Sequence, residues 1–368
     1  MTQSIIIHDT NDLGSINIDL SQDIIEIDRS KIGDTDEERN NYNLYALAKN
    51  NKNVKDLVIK LANNGFYITE HKKGTSTFTN YRNKEEFIKR GGLKNLKFDC
   101  NLFYSVEEPK INFGENKLLV IFSSVSNFPY NASIKTRNFF PIFKTISKYI
   151  PENTTILRIA DIGGVVGSFY LNSQYDQKIE SNIQFLIEKI QKNLSIKKEN
   201  IVLYGASKGG TAATYHSIIG CYKCVAVDPI VSDIFHEETY NDPHFTNGGI
   251  FKLSKQELFS KALKDYKINS SINIIYSHNS PIYKDIEDIF KGTKINLIEV
   301  YHPHIKSHPD VGGKTINILL SMINGLFYNL HKIESKSVEG ISYSAILNRV
   351  KLKTKIVTKQ VLRKLNLI

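Results

Sequence analysis

Nowhere in the chain does an apolar run approach the roughly 18 to 20 residues that a membrane-crossing helix needs, which excludes a helical membrane protein. Met1 to Asp9 also lacks the basic segment followed by an apolar one that marks a secretory leader, so the expected compartment is the cytoplasm. Cysteine is scarce, with 3 in 368 residues, and a sparse odd set cannot build a disulfide framework. Cys221 and Cys224 form a lone C-x-x-C with no second ligand pair. They are better read as small residues at the start of an apolar strand, Cys224 to Val227, than as a zinc or redox site.

Nucleotide-binding loops are missing too. Lys208 precedes the Gly209-Gly210 pair instead of following it, so the segment is no Walker A loop. Asp161-Ile162-Gly163-Gly164-Val165-Val166-Gly167 follows a strand-like run, but its glycine spacing is wrong for a dinucleotide fingerprint. Asp34-Thr35-Asp36 opens a helical stretch, where carboxylates cap free N–H groups, and that reading is preferred to a metal-binding D-x-D. No nucleic-acid module is recognisable either. The expectation is no metal and no tightly bound cofactor.

What the chain does have is an excess of positive charge, 48 Lys+Arg against 38 Asp+Glu, for a net charge of +10. Such a balance favours an acidic partner. The charge gathers at the end: Arg349, Lys351, Lys353, Lys355, Lys359, Arg363 and Lys364 follow one another without an acidic residue. Leu347, Val350, Val357 and Val361 recur among them at near-helical spacing. This is the pattern of a basic amphipathic helix, suited either to an anionic membrane surface or to docking on the domain.

Three regions are expected. Residues 1–105, rich in Asn, Asp and Lys with short apolar runs around a helical stretch from Glu37 to Ala62, read as a small α+β appendage. Residues 106–330 alternate apolar strands with amphipathic helices. The strands are Lys117 to Phe122, Ile156 to Ala160, Ile201 to Tyr204, Lys223 to Val227, Ile272 to Tyr276 and Lys294 to Val300. Near-continuous apolar strands separated by helices predict a mostly parallel sheet covered on both faces. Residues 331–368 are the basic tail.

Chemistry enters at Gly205-Ala206-Ser207-Lys208-Gly209-Gly210, between the strand Ile201 to Tyr204 and a helical stretch from Thr211 to Ile219. A serine on a glycine-hemmed strand-to-helix turn is the signature of a nucleophile elbow, and the fold expected is an α/β-hydrolase type. The helix N-terminus adds positive potential at the serine, and the Lys208 N–H points at a developing oxyanion. The loop after Lys117 to Phe122 is where such a fold supplies the second oxyanion donor, and Ser124 is the candidate there.

The general base must follow the last strand. Tyr301 to Asp310 supplies three histidines, of which His308, nearest the closing helix, is the candidate base. His302 and His304 are left for contacts to a negatively charged substrate. The acid stays open between Asp285, past the strand Ile272 to Tyr276, and Asp228, at the end of Lys223 to Val227. A Ser-His dyad oriented by Asn279 or by a backbone carbonyl is a third option, because the acid serves to fix the tautomer and orientation of the base.

Asp161-Ile162-Gly163-Gly164 with Gly167-Ser168-Phe169-Tyr170, then Gly205 to Gly210, Val227-Asp228-Pro229 and Ser307-His308-Pro309-Asp310 together resemble the XcbB/CpsF family of bacterial capsular polysaccharide biosynthesis proteins, over about Leu118 to Asn329. The core is also similar to the carbohydrate O-acetyltransferase of the accessory secretion system of Gram-positive bacteria, although no aspartate directly follows Ile272 to Tyr276. The resemblance implies a cytoplasmic role in making or modifying capsule polymer. Joined to the elbow, it predicts a serine-dependent acyltransferase or esterase, with acetyl-CoA a candidate acyl donor and a polysaccharide or sugar-phosphate substrate. The alternative is a non-catalytic assembly subunit of the capsule machinery. In the enzyme reading the tail is the candidate contact with an anionic membrane or with that machinery.

Overall fold

In the computed structural model, residues 1–9, 13, 16–31, 42–125, 131–246, 249–266 and 271–330 are described. The basic tail and Asp34-Thr35-Asp36 lie outside them. Among the described residues no helix is long and apolar enough to cross a membrane.

Two sheets form. The N-terminal one has four strands, β1 (Thr2–Ile6), β2 (Ile24–Asp28), β3 (Phe66–Lys72) and β4 (Thr75–Asn80), in the order β1-β2-β4-β3. The second has eight: β5 (Lys97–Asp99), β6 (Leu102–Glu107), β7 (Lys117–Phe122), β8 (Thr154–Ile159), β9 (Ile201–Ala206), β10 (Lys223–Val227), β11 (Ile272–Tyr276) and β12 (Asn296–Glu299). Its order is β12-β11-β10-β9-β7-β8-β6-β5. The strands from β7 to β12 pair in parallel, whereas β6 runs antiparallel to β8 and to β5. This is a mixed α/β fold of the α/β-hydrolase kind, in which the nucleophile elbow follows the fifth strand of the large sheet and stands at its carboxyl edge.

The parallel strands are apolar without interruption because helices cover both of their faces. Side-chain alternation divides each strand between two cores. Leu118, Val120 and Phe122 of β7 and Ile201 and Leu203 of β9 point to one core. Leu119, Ile121, Val202 and Tyr204 point to the other, where the helix Ile316–Phe327 closes the face.

The N-terminal sheet does not keep a core of its own. Its Phe66, Ile68 and Phe78 belong to the same apolar cluster as Phe103, Phe122 and Phe245. Tyr45 meets Phe245 at 6.4 Å between ring centroids, and Phe87 stacks on Phe103 at 6.5 Å. The boundary expected between residues 105 and 106 falls inside β6, whose pairing with β8 ties this stretch to the large sheet. Polar ties reinforce the join: Arg137 donates to the Ile68 carbonyl at 3.0 Å, and Asn63 donates to the Gly249 carbonyl at 3.0 Å.

Candidate active site

Ser207 sits between β9 and the helix Lys208–Gly220 with φ 55° and ψ −122°. Such a backbone is costly for a residue with a side chain, and it turns the hydroxyl out of the sheet edge. Its N–H donates to the Val227 carbonyl at 2.9 Å, which fastens the elbow to β10. The glycines around it are required by space. A Cβ on Gly205 would collide with the Gly209 carbonyl, and one on Gly209 with the Phe122 carbonyl at the end of β7. Gly209→Ala is therefore expected to destabilise the protein by about 3 kcal/mol or more in urea unfolding, because backbone must move to admit the methyl. Gly312→Ala, where a Cβ meets nothing within 4 Å, is the matched control and should be near neutral.

His308 opens the helix His308–Lys314, and Pro309 follows it in the first turn, where its missing N–H costs nothing. Its Nε2 lies 2.7 Å from Ser207 Oγ. Its Nδ1 lies 2.7 Å from Asp228 Oδ2. With Nδ1–H donated to the carboxylate, Nε2 is left as the acceptor for the serine proton. Asp228 is 2% exposed, and the Ser280 hydroxyl donates to the same Oδ2 at 2.5 Å. Of the two acids left open by the sequence, the structure brings Asp228 to the base. Asp228 follows directly on β10 with a φ of 44°, in the left-handed region.

Asp285 is corrected out of the site. It lies in the first turn of the helix Tyr283–Phe290, where Ser232 hydrogen-bonds to its carboxyl and burial raises its pKa. The dyad oriented by Asn279 gives way as well, since Asp228 takes the Nδ1 position and the neighbour Ser280 supports it. His302 and His304 do not line the cavity around Ser207; the His304 N–H donates to His302 Nδ1 at 3.1 Å in an exposed turn. Ser124 does line it, and its hydroxyl donates to the Ala206 carbonyl at 2.7 Å, which places the loop after β7 beside the elbow.

Lys208 carries a feature that its sequence neighbours do not announce. Its side chain is fully buried and its Nζ lies 2.8 Å from Asp161 Oδ2, in an ion pair closed to solvent. Asp161 accepts in addition from the Ser168, Phe169 and Tyr170 N–H groups at 3.0 Å each and from the Ser168 hydroxyl at 3.1 Å. The Asp161 to Tyr170 motif is thus a carboxylate cradle. Gly167, at φ 103°, is open to no other residue, because a Cβ there would strike both Asp161 and the Lys208 ammonium. The cradle holds the residue whose N–H follows the nucleophile. Cys224 is a buried core residue of β10, and Cys221 ends the helix Lys208–Gly220 in a left-handed conformation.

A cavity of about 840 Å³ opens over the serine, within the usual range for small-molecule sites. Lys49, at the end of the helix Leu44–Ala48, lines it together with Ser124, Ser207 and His308. Part of its wall thus comes from the N-terminal region. Serine, aspartate and histidine follow one another in chain order as residues 207, 228 and 308, and the elbow stands at the carboxyl edge of a sheet whose third strand in chain order, β7, ends at Ser124's loop. The scaffold is that of an α/β-hydrolase.

No protein-family model matches the chain, and no curated protein matches it in sequence. Among solved structures it is similar to the Glycosylation Associate Protein (Gap123) complex from Streptococcus agalactiae, at 17% identity and a TM-score of 0.49, over 72% of this chain and 52% of that one. The chain thus spans about half the length of that neighbour. It is similar as well to an S-formylglutathione hydrolase from Agrobacterium tumefaciens, at 15% identity and a TM-score of 0.41, over 63% and 92% of the two chains. The capsule O-acetyltransferase of Neisseria meningitidis serogroup A aligns at 15% identity and a TM-score of 0.42, over 62% and 98%. At these identities and scores the chemistry of the site rests on its own atoms.

Proposed function

We propose that the protein is a serine-dependent acyltransferase or esterase acting on a capsular polysaccharide or its precursor, with O-acetylation the reaction. The observation that carries this reading is the continuous hydrogen-bonded relay from Asp228 through His308 to Ser207. The capsular context comes from the resemblance of the sequence motifs to the XcbB/CpsF family. Lys49 and Lys306 on the cavity wall suit an anionic polymer.

Each step has a residue. His308 Nε2 takes the Ser207 proton as Oγ attacks the carbonyl of the acyl donor, for which acetyl-CoA is the candidate, and Asp228 stabilises the imidazolium. The Lys208 N–H and the Ser124 loop receive the tetrahedral oxyanion, each donor contributing about 3 kcal/mol in the transition state. Collapse expels the leaving group, which takes the proton from His308, and leaves an acyl-serine. A sugar hydroxyl or water then gives its proton to His308 and attacks the acyl carbon, and the proton returns to Ser207 Oγ as the acyl–serine bond breaks.

Intact-protein mass after exposure to a small fluorophosphonate tests the reading. The wild type should take one adduct, Ser207→Ala none, and His308→Ala should react slower by on the order of 10⁴-fold. A wild type that stays unlabelled would remove the acyl-enzyme route and favour the assembly-subunit role.

A further inference from the structure

Among the groups in the cavity that the acyl-transfer steps do not use are two buried histidines. His236 stands in the helix Ile234–Tyr240 and His244 in the turn after it, with ring centroids 4.5 Å apart. Both line the cavity together with Ser207 and His308, and they are 8% and 6% exposed. The contacts around the pair are aromatic: Phe235 and Tyr240 against His236, Phe169 edge-on to His244 at 5.4 Å. Among the described residues, Nδ1 of His236 is buried with no hydrogen-bond partner. Buried polar atoms are nearly always paired, so an orphaned ring nitrogen on a cavity wall marks a place for a ligand or water.

The charge state narrows the ligand. Burial, reinforced by the charges of His308 and Lys255, pushes His236 down to about 4, and burial pushes His244 well below the ordinary histidine value. Both rings are neutral at neutral pH, and each offers one N–H donor and one ring-nitrogen acceptor. The buried ammonium that acts on both, Lys255, is already ion-paired with Asp233. Beside the two rings an anion would meet neutral imidazoles and an ammonium already neutralised by Asp233, and an apolar chain would leave the buried His236 Nδ1 unpaired. A hydroxyl, which both donates and accepts, satisfies the rings.

We propose that His236 and His244 form the acceptor subsite, where an uncharged sugar ring is held by its hydroxyl groups while its C–H face packs on Phe235 and Tyr240. This rests on the acyl-transfer reading, in which the acceptor must wait beside the acyl-serine. One hydroxyl of the bound ring gives its proton to His308 Nε2 as its oxygen bonds to the acyl carbon, and the proton passes to Ser207 Oγ as the ester bond to serine breaks.

The test is a titration of full-length Ser207→Ala protein with methyl α-glucoside and methyl β-N-acetylglucosaminide, followed by the imidazole NMR signals of His236 and His244. No acyl chemistry occurs in that variant, so the result stands whether or not the wild-type serine reacts with fluorophosphonate. Saturable shifts of both rings are expected. Adding His236→Leu or His244→Leu should weaken binding about tenfold each, whereas His236→Gln, which keeps a donor and an acceptor, should lose less. Should a leucine variant not fold, the ring shifts and the glutamine variant decide. Absence of saturable binding by either glycoside, equal affinity in the leucine variants, or displacement of the glycoside by inorganic phosphate would overturn the proposal.

Discussion

Lowering the pH from about 7 to about 5 should cost the protein about 2 kcal/mol of stability for each of three buried imidazoles. His216 and His236 are both pushed from 6.5 down to about 4, burial being the main cause, and burial drives His244 well below its ordinary value too. For His216 the hydrogen bonds enforce neutrality. Nε2–H donates to the Tyr170 carbonyl at 2.9 Å, and Nδ1 accepts from the Gln184 amide at 3.0 Å, so a second ring proton would face an N–H donor. Below 6.5 the unfolded chain takes up protons that the native rings refuse, so stability falls as the pH drops through that value. The loss is complete only near the folded value of about 4. Above about pH 5 most carboxylates are still ionised, so this window isolates the imidazoles. Urea unfolding across it checks the expectation, and a flat profile would mean that the native rings carry charge or meet water.

Asp161→Ala should be as damaging, with an expected loss of about 3 to 5 kcal/mol, because the Lys208 ammonium is left buried and unpaired. The Ser168, Phe169 and Tyr170 N–H groups lose their acceptor in the same step. Against a total stability of about 5 to 15 kcal/mol this brings the protein close to unfolding at ordinary temperature. Removing the charge as well should recover much of it: Asp161→Ala with Lys208→Met is expected to be more stable than Asp161→Ala alone. Urea unfolding of the two singles and the double settles this. Strictly additive losses would show that the pair does not act as a unit.

The elbow was legible because its constraints are local. Five consecutive backbone positions dictate the glycines, and the strand before and helix after are visible as an apolar run and a helical stretch. The helix proves longer than expected, starting at Lys208 itself, since the tight turn passes straight into it. The acid was not legible, because β10 and β11 both lead to a carboxylate and only the sheet order decides which one meets His308. The Asp228 N–H bonds to the Ile275 carbonyl at 2.8 Å, which fixes that turn between the two strands. The link from Asp161 to Lys208 joins two glycine-rich motifs that look like separate loops in sequence, and a buried lysine has no periodic signature. β5 and β6 escaped notice as part of the large sheet for a similar reason: they share the polar texture of the first hundred residues, and only pairing with β8 assigns them. His236 and His244 belong to no motif and could have been noticed only as two histidines near a helix end.

The shared core has a consequence for how the chain is made. Tyr45 packs on Phe245, so a residue near the beginning waits for one emerging 245 − 45 = 200 positions later. At about 5 to 20 residues per second, that interval is roughly 10 to 40 s at the ribosome. Once Asn80 has been added the four N-terminal strands are complete, while part of the apolar surface that packs on them has yet to be synthesised. The nascent chain therefore passes through a long period in which the first sheet must be shielded or left loosely formed.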